Sequence, residues 1–196
     1  MYCRYTQFSY APGDRDSILR FWDEVGGPAA APRGGFQGAL ILDSIESEGT
    51  LRALTFWKEA SDFEEFFADG DHERVIEGIR LTSMTTGDRD GLEVVSQVKP
   101  EADLVRLVRC SVKEGAADGF RKFWRARGRE LAETDRGCIK AEAFLDAEAS
   151  EAVLCFHWRT FDEAEAFLRS DLHENVLAPG LEQFLTPIAR LHTESL

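Results

Sequence analysis

Trp57 to Ile76 reads WKEASDFEEFFADGDHERVI, and Trp158 to Leu177 reads WRTFDEAEAFLRSDLHENVL. Laid together at an offset of 101, they share Trp57/Trp158, Glu64/Glu165, Phe66/Phe167, His72/His173, Glu73/Glu174 and Val75/Val176. Six identities in twenty positions stand against about one for unrelated segments, so the chain contains an internal repeat. Further upstream the offset becomes 102, matching Gly13/Gly115, Phe21/Phe123, Trp22/Trp124 and Gly35/Gly137. The one-residue change falls between Gly35 and Trp57, an interval that holds a hairpin turn, where a length change costs least. A period near 100 residues is too long for a solenoid and marks a duplicated domain.

The polar, proline-bearing stretch Val98-Lys99-Pro100-Glu101-Ala102-Asp103 marks the boundary, giving domains 1–98 and 103–196. It is too short to be a floppy tether, so the halves are expected to pack closely. Each half reads as strand, helix, strand, strand, helix, strand. The opening strands are Tyr2 to Tyr10 and Leu104 to Val112, the latter rich in aliphatic residues. A first helix follows Gly13 or Gly115. In half one Ile18, Leu19, Phe21, Trp22 and Val25 share a face, and Gly26-Gly27-Pro28 is expected to stop it. Trp22 and Trp124, each beside a Phe, read as core.

Two strands come next, Phe36 to Ile45 with Thr50 to Lys58, and Cys138 to Leu145 with Ala152 to Trp158. Short polar turns make each pair a hairpin, which would set Cys138 and Cys155 near one another across the strands. The spacings Ser61/Glu64 and Asp162/Glu165 predict capping boxes at the start of the second helix. Asp69-Gly70-Asp71 and Ser170-Asp171 then interrupt that helix before a turn bearing the histidine. Leu92 to Val98 and Ile188 to Leu191 close the halves, with Thr82 to Asp90 expected as an irregular loop.

Each helix has one apolar stripe, so both must lie on one face of a four-stranded antiparallel sheet, in the split β-α-β order of a ferredoxin-like domain. The opposite sheet face would be apolar and uncovered. Duplication supplies the cover. The expected fold class is α+β, two tandem ferredoxin-like βαββαβ domains whose sheets pack face to face as an intrachain α+β barrel, a covalent pseudo-dimer open to further homo-oligomerisation.

Composition narrows the function. Among 196 residues, 23 Lys and Arg face 36 Asp and Glu, a net charge of -13, which repels nucleic acid and anionic membranes. No apolar run approaches the roughly 20 residues of a membrane span. Met1-Tyr2-Cys3-Arg4-Tyr5-Thr6 has neither the basic nor the apolar region of a secretory signal, so a cytoplasmic location is expected. Cys3, Cys110, Cys138 and Cys155 lack disulfide-scaffold or metal spacing and read as small buried hydrophobes. With no His-x-x-x-His and no His/Cys cluster in the sequence, no metal site is expected. Gly34-Gly35-Phe36-Gln37-Gly38 precedes a strand, not a helix, and is a turn instead of a phosphate cradle.

A strand ending in Trp57, then Ser61-Asp62-Phe63-Glu64-Glu65-Phe66-Phe67, then His72-Glu73-Arg74, resembles the antibiotic biosynthesis monooxygenase (ABM) family. Trp158, Asp162 to Leu168 and His173-Glu174-Asn175 repeat the resemblance. It implies a dimeric α+β barrel and, as one activity of the family, cofactor-independent oxygenation of a small aromatic or quinone-like molecule by dioxygen. Such an enzyme needs a pocket between helices and sheet, with polar groups that deprotonate a phenol and stabilise the anion. The family's haem degraders carry a first-strand asparagine, a second-helix tryptophan and a ligating histidine. Here Phe66 and Phe167 hold the tryptophan position, Ile76 and Leu177 the histidine position, and neither first strand has an asparagine. The resemblance therefore implies no cofactor, and haem binding or degradation is disfavoured. The alternative is a non-catalytic binder of a small ligand on the same fold.

The candidate catalytic residues are His72 and His173, since histidine acts as a base near neutral pH. Each could instead close the broken helix by bonding a backbone carbonyl. Trp57, Trp158, Phe66 and Phe167 are the candidate pocket walls, offering aromatic stacking, with simple core packing as the alternative. His157 points away from Trp158 by strand alternation and has Phe56 as its counterpart, so it is a hydrogen bonder on the other sheet face or a feature of half two alone.

Overall fold

Strand β1 (Tyr2–Ser9) pairs antiparallel with β3 (Thr50–Trp57), which pairs with β2 (Phe36–Ser44), giving the order β1-β3-β2 in the first half. These pairings come from a computed structural model that describes residues 1–44, 47–70, 74–75, 77, 85–94, 104–134, 137–146, 150–186 and 190–195. The chain divides into two compact units, Met1–Leu92 and Glu93–Leu196.

In the first unit, α1 (Arg15–Phe21) runs through a π turn at Trp22–Gly26 into α2 (Gly27–Ala30). The helix does not stop at Gly26-Gly27-Pro28 as its sequence suggests. Pro28 falls in the first turn of α2, where its missing N–H has no partner to lose. The wide turn lets the Trp22 ring lie against Gly26, where a Cβ would come 2.7 Å from the ring. Helix α3 (Ala60–Ala68) crosses the sheet, and β4 (Thr85–Val94) is the fourth strand in sequence. That strand replaces most of the loop expected over Thr82 to Asp90. The expected linker at 98–103 lies outside the described residues.

The second unit repeats the plan. β5 (Leu104–Ser111) is followed by α4 (Ala117–Phe123), a π turn at Trp124–Gly128 and α5 (Arg129–Thr134). β6 (Cys138–Asp146) and β7 (Glu151–Trp158) form a hairpin, then come α6 (Phe161–Leu168), a third π turn at His173–Leu177, α7 (Ala178–Glu182) and β8 (Arg190–Ser195). β8 pairs with β5, β5 with β7 and β7 with β6, all antiparallel, which is the strand order of a ferredoxin-like domain. β8 runs beyond the Leu191 end expected for it. The fold is α+β, with βαββαβ units in tandem.

The hairpin loops account for the shift in repeat offset. Five residues separate Ser44 from Thr50, and four separate Asp146 from Glu151. Both second strands carry a bulge at their start, between Phe36 and Gly38 and between Cys138 and Lys140. The second helices begin earlier than their sequence suggests. Asp62 accepts from the Glu59 N–H at 2.9 Å, and Thr160 and Glu163 exchange two 3.2 Å bonds, so the caps are Glu59 and Thr160.

The helix side of the second sheet holds one large core, with Phe120, Trp124, Leu145, Leu154, Trp158 and Phe167 among its members. All four cysteines are buried and unbridged. Cys138 belongs to this core and pairs in register with Trp158, whereas Cys155 sits on the other face opposite Glu142, so the two are not cross-strand neighbours. The hairpin register separates them, since Cys138 pairs three residues beyond Cys155. That other face is buried but not wholly apolar, since Lys140, Glu142 and His157 lie on it.

Candidate functional site

β1 and β3 alternate so that Arg4 and Thr6 share a sheet face with Ala53, Thr55 and Trp57, their register partners or near neighbours. Above this face lie α3, bringing Phe63, Phe66 and Phe67, and the π-turn helix, bringing Trp22 and Gly26. Between them is a cavity of about 90 Å³, lined by these residues with Phe8, Ala30 and Val75. Trp57 is its buried wall. Its indole meets Phe63 edge-on at 5.7 Å and tilts against Phe66 at 5.3 Å, while its N–H donates to Thr55 Oγ1 at 3.0 Å. The Arg4 guanidinium lies 5.2 Å from the Phe63 ring centre, a cation–π contact. Phe67, 44 % exposed, stands at the rim. This cavity therefore offers an aromatic wall, two hydroxyls and one cation.

The equivalent space in the second half is smaller, about 40 Å³. Two replacements and one ion pair mark the difference. Val108 stands where Thr6 stands in half one, and Phe156 where Thr55 stands, so both hydroxyls are lost and a phenyl ring takes the place of one small side chain. The Trp158 N–H thereby loses the hydroxyl partner that Trp57 has, and it is buried without one among the described residues. Arg106, the counterpart of Arg4, is 3 % exposed and pinned, donating to Glu165 Oε1 at 2.7 Å and to the Ala164 carbonyl at 3.2 Å. Phe167 packs on Trp158 at 5.0 Å.

His173 opens the π turn at the edge of this smaller space. Its Nδ1 donates to the Leu168 carbonyl at 3.1 Å, and its ring stands edge-on to Phe167 at 5.1 Å. Burial lowers its pKa below 6.5, partly offset by the Leu168 bond and Glu174, so the ring is neutral at neutral pH. The helix-closing bond to a carbonyl is thus present, and Nε2 remains as the second nitrogen. His72 lies outside the described residues.

Trp57 and Phe66 come together in the first cavity, and Trp158, Phe167 and His173 in the second. Arg4, Thr6 and Thr55 are site residues that the sequence reading missed. Two signals were available for them: Arg4 and Arg106 repeat at the offset of 102, and period-two alternation places Thr55 on the face of Trp57. Leu177, at the position of the haem ligand in haem degraders, is buried in the core.

Residues 104–178 match the family model described as antibiotic biosynthesis monooxygenase. No curated protein matches the sequence. Among solved structures, a candidate monooxygenase from Lactobacillus acidophilus NCFM is 9 % identical, with a TM-score of 0.75 over 98 % of this chain and 92 % of its own. An anthrone oxidase-like protein is 12 % identical, with a TM-score of 0.70 over 99 % and 90 %. A major regulator of staphylococcal pathogenesis is 9 % identical, with a TM-score of 0.62 over 98 % of both chains. At such identities these likenesses establish the fold and leave the chemistry to the residues. Residues 104–178 thus make the second half similar to an antibiotic biosynthesis monooxygenase domain, and the first half repeats its architecture.

Proposed function

We propose that the chain is an ABM-type, cofactor-independent monooxygenase of a small aromatic or quinone-like molecule, and that the first half is the working half. The observation carrying this reading is the contrast between the cavities. The first has Arg4, Thr6 and Thr55 on an aromatic floor, and the second has Val108 and Phe156 with its arginine bound to Glu165. A phenol stacked on Trp57 would direct its oxygen to Arg4, whose charge stabilises the phenolate, the electron-rich form that reacts with dioxygen. Among the described residues Arg4 has no carboxylate competing for it. His72, by its place after α3, is the proposed base, and His173 is a structural residue of the second half. Trp57 and Phe66 are the proposed pocket walls of the working half, with Trp158 and Phe167 their closed counterparts.

A cavity of about 90 Å³ lies below the roughly 300 Å³ typical of drug-sized ligand sites, which favours a second reading, binding of a small ring without turnover. Aerobic incubation with hydroquinones and anthrones, scored by oxygen uptake without flavin or metal, separates the two. The oxygenase reading expects uptake that is lost in Thr55→Phe, which installs the residue of half two, and kept in His173→Ala. Quenching of tryptophan fluorescence without uptake would establish the binding reading.

A further inference from the structure

The sheet of the second half carries a separate concentration of chemistry on the face away from its helices. Cys155 and His157 of β7 alternate with Leu154, Phe156 and Trp158, which belong to the helix-side core, so the two point the other way. The register sets Lys140 opposite His157 and Glu142 opposite Cys155. His157 Nε2 lies 2.9 Å from Glu142 Oε2 and 3.4 Å from Cys155 Sγ. Lys140 Nζ forms an ion pair with the other carboxylate oxygen at 2.6 Å. All of these residues are at most 3 % exposed.

Two simpler roles do not fit. A nucleophilic triad requires the imidazole to bridge thiol and carboxylate through its two nitrogens. Here both partners converge on Nε2, and Nδ1 has none among the described residues. A packing role does not require polar groups either. By register, the counterparts of Lys140, Glu142, Cys155 and His157 in half one are Gly38, Leu40, Leu54 and Phe56. Four positions served there by glycine and apolar side chains are all polar here.

We propose that Glu142, Cys155 and His157 form a three-ligand site for a zinc-class divalent metal ion. One carboxylate oxygen, one sulfur and one imidazole nitrogen lie within 4.8 Å of one another. This mixed O, S, N set is the borderline donor combination that such ions take. Metal-ligand bonds near 2.0–2.3 Å place tetrahedral donors roughly 3.3–3.8 Å apart. The sulfur–nitrogen separation already fits, and the nitrogen–oxygen pair need open by only a few tenths of an ångström. On binding, the Cys155 thiol releases its proton to solvent and coordinates as thiolate, with no change of oxidation state.

The test is titration of Co2+ into the reduced full chain, followed by absorbance, with competition by Zn2+. One equivalent should bind with a thiolate-to-cobalt charge-transfer band and tetrahedral ligand-field bands. Cys155→Ser should abolish the charge-transfer band and weaken binding roughly tenfold or more. Cys138→Ser, which alters a thiol on the opposite sheet face, should leave both unchanged. Replacing the three ligands together by their half-one counterparts (Glu142→Leu, Cys155→Leu, His157→Phe) should keep the circular dichroism of the fold and lose the metal. Absence of a stoichiometric thiolate band, or a band that survives Cys155→Ser, would overturn the proposal. Weak binding without that band, spread over the acidic surface, would overturn it equally.

Discussion

Replacing Glu165 with glutamine isolates what closes the second cavity. The Arg106 guanidinium is 3 % exposed and its carboxylate partner 32 % exposed, so the two ends of this ion pair respond differently to loss of the other. Glu165→Gln leaves a buried cation with a neutral acceptor and the Ala164 carbonyl. Losing one partner of a fully buried pair costs about 3–5 kcal/mol, and a hydrogen bond to a charged group is worth about 1.5–3 kcal/mol. Because water reaches the Glu165 side, the expected cost is about 2 kcal/mol. Arg106→Met removes the buried charge, keeps most of the volume and leaves a carboxylate that solvent can hydrate, so it should cost about 1 kcal/mol or less. Glu64→Gln, at the exposed counterpart in half one, should stay within about 0.5 kcal/mol. Urea unfolding followed by tryptophan fluorescence at fixed pH measures all three. Should Arg106→Met prove costlier than Glu165→Gln, the cation is the structural anchor and the desolvation argument is wrong.

Three further outcomes are expected. Gly26→Ala should lose about 1–3 kcal/mol in thermal or urea unfolding, because its new Cβ meets the Trp22 ring at 2.7 Å. His173 has a folded pKa below its unfolded value near 6.5, so its contribution is full above that pH and is lost as the pH falls through the folded pKa. Stability measured at pH 7.5 and 5 should therefore differ less in His173→Phe than in the parent chain. The Cys110 thiol is pushed up to about 12 by burial and by Glu151, so it should resist thiol reagents at pH 8 until the chain unfolds, as read by mass spectrometry.

The repeat, the strand pairing and the aromatic walls were legible because each depends on residue type at a fixed period. Trp57 and Trp158 end matching strands, and alternation alone sends them to the helix side. Cap positions were less legible, since Glu59 and Thr160 compete with Ser61 and Asp162 for the same helix start, and the bend after the strand decides between them. The strand Thr85–Val94 was hidden because Gly87, Asp88, Arg89 and Asp90 read locally as a loop. The Glu142, Cys155 and His157 cluster escaped because its members are split between two strands, and the hairpin register sets which residues face each other. Cys155-Phe156-His157 was the available sign, since a spacing of two in a strand puts both side chains on one face.

Each π turn stores one residue more than an α-helix of the same height would need. Deleting a single residue there would relax the wide turn to ordinary winding and keep the downstream turns in phase, whereas deleting one from an α-helical stretch would swing everything downstream by about 100° around the helix axis. The hairpin loops also tolerate a change in length, as their own inequality demonstrates, but the α-helical stretches do not. Insertions and deletions accumulating along this chain should therefore fall at the wide turns and the hairpins, and a fusion or loop graft belongs at the hairpins.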